Sequence, residues 1–216
     1  MNFLQISLTN KCNFACPTCP MGKWRNSDAP RWPLCNEELI PWLEKYVQPY
    51  QWLVELTGGE PSLYPEIDEL LHWLDDRKYR VLVKTNGSGH LPHLDNVKIV
   101  AAFHQLDNPP KNYDQVLIVD KLQRTEKELY CIDHCIPYHV IGFNKDTMGR
   151  EHGFRYCAYV NNAGHQTGCQ ARAVYEDVRD GADRRRIPYR SLVAIPCCKH
   201  CKAAIDAWLF MPEEWK

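Results

Sequence analysis

The first two thirds of the chain alternate short apolar runs with longer amphipathic ones. Six runs predict strands, because their apolar residues either alternate with polar ones or form a short continuous stretch. These runs are Phe3–Leu8, Trp52–Leu56, Arg80–Lys84, Val97–Phe103, Val116–Val119 and Tyr138–Phe143. Successive strands joined by helices or long connections favour right-handed crossovers and a parallel sheet. The pattern therefore predicts an α/β fold.

Three further runs have the spacing of amphipathic helices. They are predicted over Asn36–Val47, with the first residue as N-cap, over Pro65–Asp76 and over about Glu126–Cys135. The connections 87–94 and 108–114 are too short or irregular for full helices. We therefore expect a partial parallel barrel of the (βα)6 kind, trimmed where these connections replace helices.

The character of the chain changes after Lys145. Glycines punctuate short runs, and five cysteines cluster within Cys157–Cys201. We predict a barrel core over residues 1–147 and a small cysteine-rich appendage over residues 148–216.

Composition is that of an ordinary soluble globular protein, with 44% hydrophobic and 25% charged residues among 216. The formal net charge of −1 gives no global electrostatic reason to expect a nucleic-acid backbone or an anionic membrane. The first ten residues lack a signal-peptide pattern, and no apolar stretch is long enough to cross a bilayer. The 11 cysteines, several closely spaced, favour metal ligands over disulfides, so we expect a reducing cytoplasm and no membrane partner.

The first candidate for chemistry is the spacing C-x3-C-x2-C made by Cys12, Cys16 and Cys19. These cysteines follow the first predicted strand, on a loop short enough to bring three thiolates together. Cubane iron–sulfur clusters usually take four cysteines, so three would leave one iron open. Half of a zinc site and a buried thiol cluster are the alternatives.

Two further loops follow predicted strands. Leu56-Thr57-Gly58-Gly59-Glu60-Pro61 comes after the second strand, and Lys84-Thr85-Asn86-Gly87 ends the third. Either sequence can simply form a tight turn. Loops at the carboxyl ends of parallel strands, however, build the active sites of α/β barrels.

The cysteine triplet followed by GGEP resembles the radical S-adenosylmethionine enzymes. The resemblance implies a [4Fe–4S] cluster whose open iron chelates S-adenosylmethionine, and a 5′-deoxyadenosyl radical that abstracts hydrogen from an organic substrate. In it, the Gly58 and Gly59 backbone and the Glu60 carboxylate hold the methionyl ammonium, Thr85 and Asn86 face the ribose or carboxylate, and Gly142 lies near adenine. The candidate cofactor-binding residues are Gly58, Gly59, Glu60, Pro61, Thr85, Asn86, His104 and Gly142.

The later cysteines resemble the Twitch appendage, a shortened SPASM domain that binds an auxiliary [4Fe–4S] cluster. The ligand set that fits this pattern is Cys157, Cys169, Cys198 and Cys201, with Cys197 as an alternative to Cys198. Four cysteines suit a tetrahedral zinc ion equally well.

The leading functional hypothesis is a radical enzyme that oxidises or rearranges a small molecule or peptide side chain, aided by the auxiliary cluster. Flavodoxin or ferredoxin is the expected type of electron donor. Radical modification of a nucleotide or nucleic-acid base is one alternative. A non-enzymatic zinc-binding interaction module is another.

Overall fold

The computed structural model describes residues 1–16, 19, 25–26, 35–118, 123–140, 154–160, 166–167, 192, 194–197 and 202–216. The strands are β1 (Asn2–Thr9), β2 (Trp52–Gly58), β3 (Arg80–Thr85), β4 (Val97–Ala102), β5 (Gln115–Ile118), β6 (Tyr138–Val140), β7 (Tyr156–Val160), β8 (Gln166–Thr167) and β9 (Ile195–Pro196). The α-helices are α1 (Asn36–Tyr46), α2 (Ile67–Asp76), α3 (Arg124–Asp133) and α4 (Lys202–Phe210). Two 3-10 turns cover Pro61–Leu63 and Glu213–Trp215.

One open sheet contains all these strands, in the order β6-β5-β4-β3-β2-β1-β7-β8, with β9 also paired to β7. Strands β1 to β7 are parallel to their neighbours, while β8 and β9 run antiparallel to β7. The predicted α/β class and the six parallel strands are confirmed. The connections from β3 to β4 and from β4 to β5 are non-helical, as expected.

The seventh parallel strand, β7, lies where no strand was predicted. It pairs with β1 at the opposite side from β2, with Cys157 opposite Phe3. Cys157, Ala158 and Tyr159 are all buried there. Part of the predicted appendage therefore belongs to the same sheet, and the division of the chain at residue 147 stays a prediction.

The two faces of the sheet have separate cores. On what we call the outer face, α1 and α2 pack against alternate residues such as Leu4 and Val54. On the inner face, α4 packs against the residues between them, such as Phe3, Leu53 and Leu82. Side chains alternate between faces along a strand, so the polar residues Gln5, Glu55 and Lys84 also point to the inner face. None of the helices within the described residues has the length and apolar character needed to span a bilayer.

The predicted N-cap role of Asn36 is wrong, because this residue lies inside α1. Cys35 precedes the helix and makes no side-chain cap hydrogen bond. The Asn36 amide instead donates to the Glu66 carbonyl at 3.0 Å and accepts from the Tyr64 hydroxyl at 3.1 Å. Its backbone N–H donates to the Glu66 carboxylate at 2.6 Å. Asn36 therefore joins α1 to the segment before α2, and this tertiary role replaces the local cap.

Replacing Asn36 by alanine should lower the free energy of unfolding by about 1–3 kcal/mol, because the buried hydrogen bond from the Tyr64 hydroxyl to Asn36 Oδ1 is lost. Urea denaturation followed by circular dichroism measures the change. Exposed Glu37→Ala, on the same turn, is the control and should change stability by less than about 0.5 kcal/mol. Equal stability of the two variants would show that the Asn36 contacts do not hold α1 in place.

Candidate functional site

Two loops at the carboxyl edge of β1 and β2 are hydrogen-bonded to each other. The loop after β1 carries Cys12, Cys16 and Cys19, and we call it the cysteine loop (residues 10–19). The Gly59 N–H donates to the Thr9 carbonyl at 2.6 Å, and the Glu60 N–H donates to the Lys11 carbonyl at 2.7 Å. The GGEP segment therefore lies directly against the start of the cysteine loop.

This close approach explains why both positions are glycine. A Cβ on Gly59 would lie 2.1 Å from the Lys11 carbonyl oxygen, inside any possible contact distance. Gly58 has φ of +138°, which disfavours side chains, and a Cβ there would lie 2.5 Å from the Thr9 oxygen. The glycines are required by loop packing, whatever ligand contacts their backbone.

Glu60 is fully buried and its carboxylate accepts four hydrogen bonds from the protein. Oε1 accepts from the Thr85 hydroxyl at 2.5 Å, the Ser62 hydroxyl at 2.8 Å and the Ser62 N–H at 3.1 Å. Oε2 accepts from the Asn86 N–H at 2.6 Å. The carboxylate thus ties the loop after β2 to the end of β3. Pro61 is also buried, at the start of the following 3-10 turn.

Asn86 extends this connection to the cysteine loop. Its side-chain Nδ2 donates to Asn13 Oδ1 at 2.8 Å and lies 4.0 Å from the Cys12 sulfur. Its Oδ1 accepts from the Ser88 N–H at 2.9 Å, and the Ser88 hydroxyl accepts from Asn13 Nδ2 at 2.8 Å. Thr85 and Asn86 were predicted from sequence, whereas Asn13 and Ser88 were not.

Cys12 is fixed by a residue that the sequence did not single out. Asn26 Oδ1 accepts from the Cys12 N–H at 2.8 Å, and Asn26 Nδ2 donates to the Cys12 carbonyl at 2.7 Å. Asn26 has φ of +55°, a conformation that asparagine tolerates better than most residues. Beside it, the Arg25 guanidinium donates to the Phe14 carbonyl at 2.9 Å.

The three predicted thiols interact electrostatically. Burial raises the pKa of Cys16, and its neighbours Cys19 and Cys12 raise it further, while Arg25 acts in the opposite direction. The Cys12 sulfur also accepts from the Phe14 N–H at 3.4 Å. Within the described residues, no three cysteine, histidine or acidic side chains converge closely enough for one metal ion. Ligands of a cubane bind different irons, so they lie farther apart than ligands that share one ion.

His104 follows β4 and reaches the same edge through an aromatic contact. Its ring meets Phe14 of the cysteine loop edge-on, with centroids 6.0 Å apart. Gly142 lies outside the described residues. The structure therefore brings together seven of the eight predicted cofactor-binding positions with the cysteine loop, at one edge of the sheet.

Cys157 lies near the opposite edge. It pairs with Phe3 near the start of β1, about 20 Å from the carboxyl end of that strand at the usual rise per residue. A hydrogen bond from Cys197 lowers the pKa of the Cys157 thiol, and burial opposes this shift. The nearby partner in the described residues is Cys197, the alternative to Cys198. Cys169, Cys198 and Cys201 lie outside the described residues.

The chain is similar in sequence to two types of enzyme. The chain is 33% identical over 105 residues to a 7-carboxy-7-deazaguanine synthase of Methanothermobacter thermautotrophicus, covering 45% of this chain and 41% of that protein. It is 34% identical over 125 residues to a GTP 3′,8-cyclase of Aquifex aeolicus, covering 52% of this chain and 38% of that protein. No family model matches the chain.

The predicted resemblance to radical S-adenosylmethionine enzymes is confirmed. The fold agrees with it, since 83% of this chain superposes on 45% of Streptococcus suis SuiB bound to its precursor peptide SuiA. The TM-score is 0.50 and the identity 16%. The chain spans about two fifths of the length of the curated relatives it matches. The comparisons do not show a Twitch or SPASM appendage.

Removing the Asn26 side chain should loosen any metal group held by Cys12, because both hydrogen bonds to the Cys12 backbone are lost. After anaerobic reconstitution, we expect Asn26→Ala to weaken metal retention about 10- to 100-fold, measured as iron released to a chelator. Asn26→Gly, which tolerates the positive φ, should be equally impaired if the side chain is what matters. Retention at the wild-type level in Asn26→Gly would show that only the backbone conformation counts.

Proposed function

We propose that this chain is a [4Fe–4S]-dependent enzyme that reductively cleaves S-adenosylmethionine and uses the resulting radical on an organic substrate. The observation that carries the proposal is the joining of three loops at one sheet edge. Direct hydrogen bonds connect the cysteine loop to GGEP, and Asn86 connects both to the end of β3. A zinc-binding interaction module gives no reason for this joining.

The thiols fit an iron–sulfur cluster. Burial raises the pKa of the Cys16 thiol and its neighbours Cys19 and Cys12 raise it further, so a bound cationic metal group would favour the thiolate form that ligates metal. Cys12, Cys16 and Cys19 would hold the cluster. When bound, the cluster supplies the electron that cleaves S-adenosylmethionine to the 5′-deoxyadenosyl radical.

The residues around the thiols then have distinct parts in the proposal. Asn26 fixes the Cys12 backbone, and the Phe14 backbone N–H and the Asn86 side-chain amide face the Cys12 sulfur, where hydrogen bonds tune a cluster's potential. Glu60 positions Asn86 and Thr85 with its four accepted hydrogen bonds. The S-adenosylmethionine ammonium would meet the backbone of Gly58 and Gly59 and, in the sequence prediction, the same carboxylate.

A small purine-related substrate has specific support among the substrate classes. Both types of curated relative carry a guanine-type base in their names, GTP in one and 7-carboxy-7-deazaguanine in the other. The near-neutral charge also suits a small molecule better than a long nucleic acid. We therefore place the nucleotide alternative ahead of a peptide side chain, and keep net oxidation and rearrangement as the possible outcomes.

The auxiliary site remains part of the proposal. Cys157 with Cys169, Cys201 and either Cys197 or Cys198 would hold a second cluster or a zinc ion, and the thiol contact with Cys197 favours that cysteine as the third ligand. A flavodoxin or ferredoxin would supply the reducing electron. The reductive cleavage at the N-terminal thiols needs this electron but does not need the auxiliary site.

The test is anaerobic reconstitution of the full chain and of a variant with Cys12→Ala, Cys16→Ala and Cys19→Ala. Iron, sulfide and zinc are counted, and 5′-deoxyadenosine is followed after addition of dithionite and S-adenosylmethionine. We expect about eight irons per chain to fall to about four, with loss of 5′-deoxyadenosine. About four irons plus one zinc in the full chain would make the auxiliary site structural.

Cys135→Ala is the matched control, because this exposed cysteine follows α3 and lies far along the chain from Cys12, Cys16 and Cys19. It should keep the iron content and 5′-deoxyadenosine yield of the unmodified chain. Zinc without iron, and no 5′-deoxyadenosine from any sample, would refute the radical reaction and leave the binding module.

A further inference from the structure

A group of polar side chains lies buried on the inner face of the sheet, apart from the loops described above. We call it the inner polar cluster, formed by Gln5, Glu55, Lys84 and Asp206. Gln5 Nε2 donates to Glu55 Oε1 at 2.5 Å. The Lys84 ammonium lies 2.9 Å from Glu55 Oε2 and 3.9 Å from Asp206 Oδ2. Three strands and α4 therefore meet through these four side chains.

Strand register gives the position of the cluster on the inner face. Gln5 is directly opposite Glu55, and Glu55 is opposite Leu82, so Lys84 lies two residues nearer the carboxyl edge. Below the cluster, α4 packs on an apolar layer that includes Phe3 and Leu53. Above it, Lys84 is followed at once by Thr85 and Asn86 of the candidate site. The Lys84 ammonium thus lies between the apolar layer packed against α4 and the sheet edge that carries the cysteine loop.

Exposure differs sharply within the cluster. The Glu55 side chain is 0% exposed and the Asp206 side chain 9%, whereas the Lys84 side chain is 18% exposed. Burial raises the pKa of the Glu55 carboxyl, and the Lys84 ammonium opposes that shift. Lys84 is therefore the most exposed of the three charged side chains in the cluster.

Packing alone gives a weak reason for such a cluster. Buried ion pairs are commonly no more stabilising than apolar residues of similar volume, and a buried acceptor without a partner is costly. Gln5 Oε1 is such an acceptor among the described residues. Apolar residues in place of Gln5, Glu55, Lys84 and Asp206 would extend the apolar layer against α4 equally well. Contact with a ligand therefore explains the inner polar cluster better than a contribution to folding stability does.

The net charge of the inner polar cluster restricts the chemical group that such a ligand can place against Lys84. Two carboxylates face one ammonium, so the cluster has a formal charge of −1. A phosphate group at Lys84 would add further negative charge beside Glu55 and Asp206, which is unfavourable at low dielectric. A neutral carbonyl oxygen accepts a hydrogen bond from the ammonium without that repulsion.

Resting on the proposed function, we propose that Lys84 contacts the substrate and donates a hydrogen bond to the ring carbonyl of a guanine-type base. Glu55 and Asp206 are positioning residues because they hold the ammonium rather than meet the substrate, and Gln5 is one because it holds Glu55. The base would then lie on the inner face, below the loops that would bind S-adenosylmethionine. Its phosphates, where present, would point away from the two carboxylates.

The test measures nucleoside binding by calorimetry, using the reconstituted full chain with S-adenosylmethionine present. Guanosine and inosine have the ring carbonyl, whereas adenosine has an amino group in its place. We expect guanosine and inosine to bind about 10- to 100-fold more tightly than adenosine, which is the range for a hydrogen bond to a charged group. In Lys84→Met this preference should fall to about onefold.

Two further variants separate binding from folding. Lys45→Met removes an exposed lysine on α1 and should keep the full preference for guanosine. Lys84→Arg keeps a cation beside the Glu55 carboxylate, so it preserves the buried ion pair if Lys84→Met does not fold, and its altered donor geometry should still reduce the preference. Thermal melting of each variant reports its folding.

Three results would overturn the proposal: no binding of guanosine, no preference over adenosine, or an undiminished preference in the folded Lys84 variants. The last result, together with a lower melting temperature, would make the cluster an anchor for α4 only. Formation of 5′-deoxyadenosine without substrate reports the proposed function separately. A chain that cleaves S-adenosylmethionine but ignores the ring carbonyl would refute this inference alone.

Discussion

The buried carboxylate of Glu60 is the interaction on which the geometry of the candidate site depends. A fully buried carboxylate is stable only when its oxygens are paired, and here donors from Ser62, Thr85 and Asn86 pair them. Because these donors lie on two different loops, the loops cannot separate without exposing an unpaired charge to the interior. Asn86 then transmits this constraint to the cysteine loop through Asn13. Preorganisation of the cysteine loop therefore follows from the desolvation cost of one side chain.

The sequence was sufficient for elements whose signal is local. The strands β1 to β6 are apolar runs, and the glycines of GGEP mark the loop that packs on Lys11. Non-local pairings left no such signal. Asn26 hydrogen-bonds to the Cys12 backbone, 14 residues away in sequence. Asn36 was predicted as a cap because its actual partner Glu66 lies 30 residues away and is invisible to a local pattern. At Asn36, local capping and tertiary pairing compete for the same amide, and tertiary pairing prevails.

Strand β7 was missed for a related reason. Its five residues were grouped with the glycines and cysteines around them, which favour a small metal-bound appendage in isolation. What makes them a strand is the free side of β1, where Phe3 is opposite Cys157 and its ring packs at a tilt against Phe154. Edge pairing of this kind depends on the assembled sheet, so no local pattern reveals it. The consequence is that Cys157 is held by the same sheet that carries Cys12, yet at its other end.

The packing of α4 on the inner face separates the Cys157–Cys197 pair from the inner polar cluster. The small α4 residues Ala204 and Ala207 pack closely on the first half of the strands, in an apolar cluster that includes Phe3, Leu53 and Cys157. Asp206 on the same helix reaches the next layer and meets Lys84. A helix that only covered a sheet would gain little stability from a carboxylate at this position, because the cost of desolvating the carboxylate exceeds the stabilisation from an apolar contact. The position of Asp206 is explained if α4 both covers the apolar layer of the inner face and orients the Lys84 ammonium.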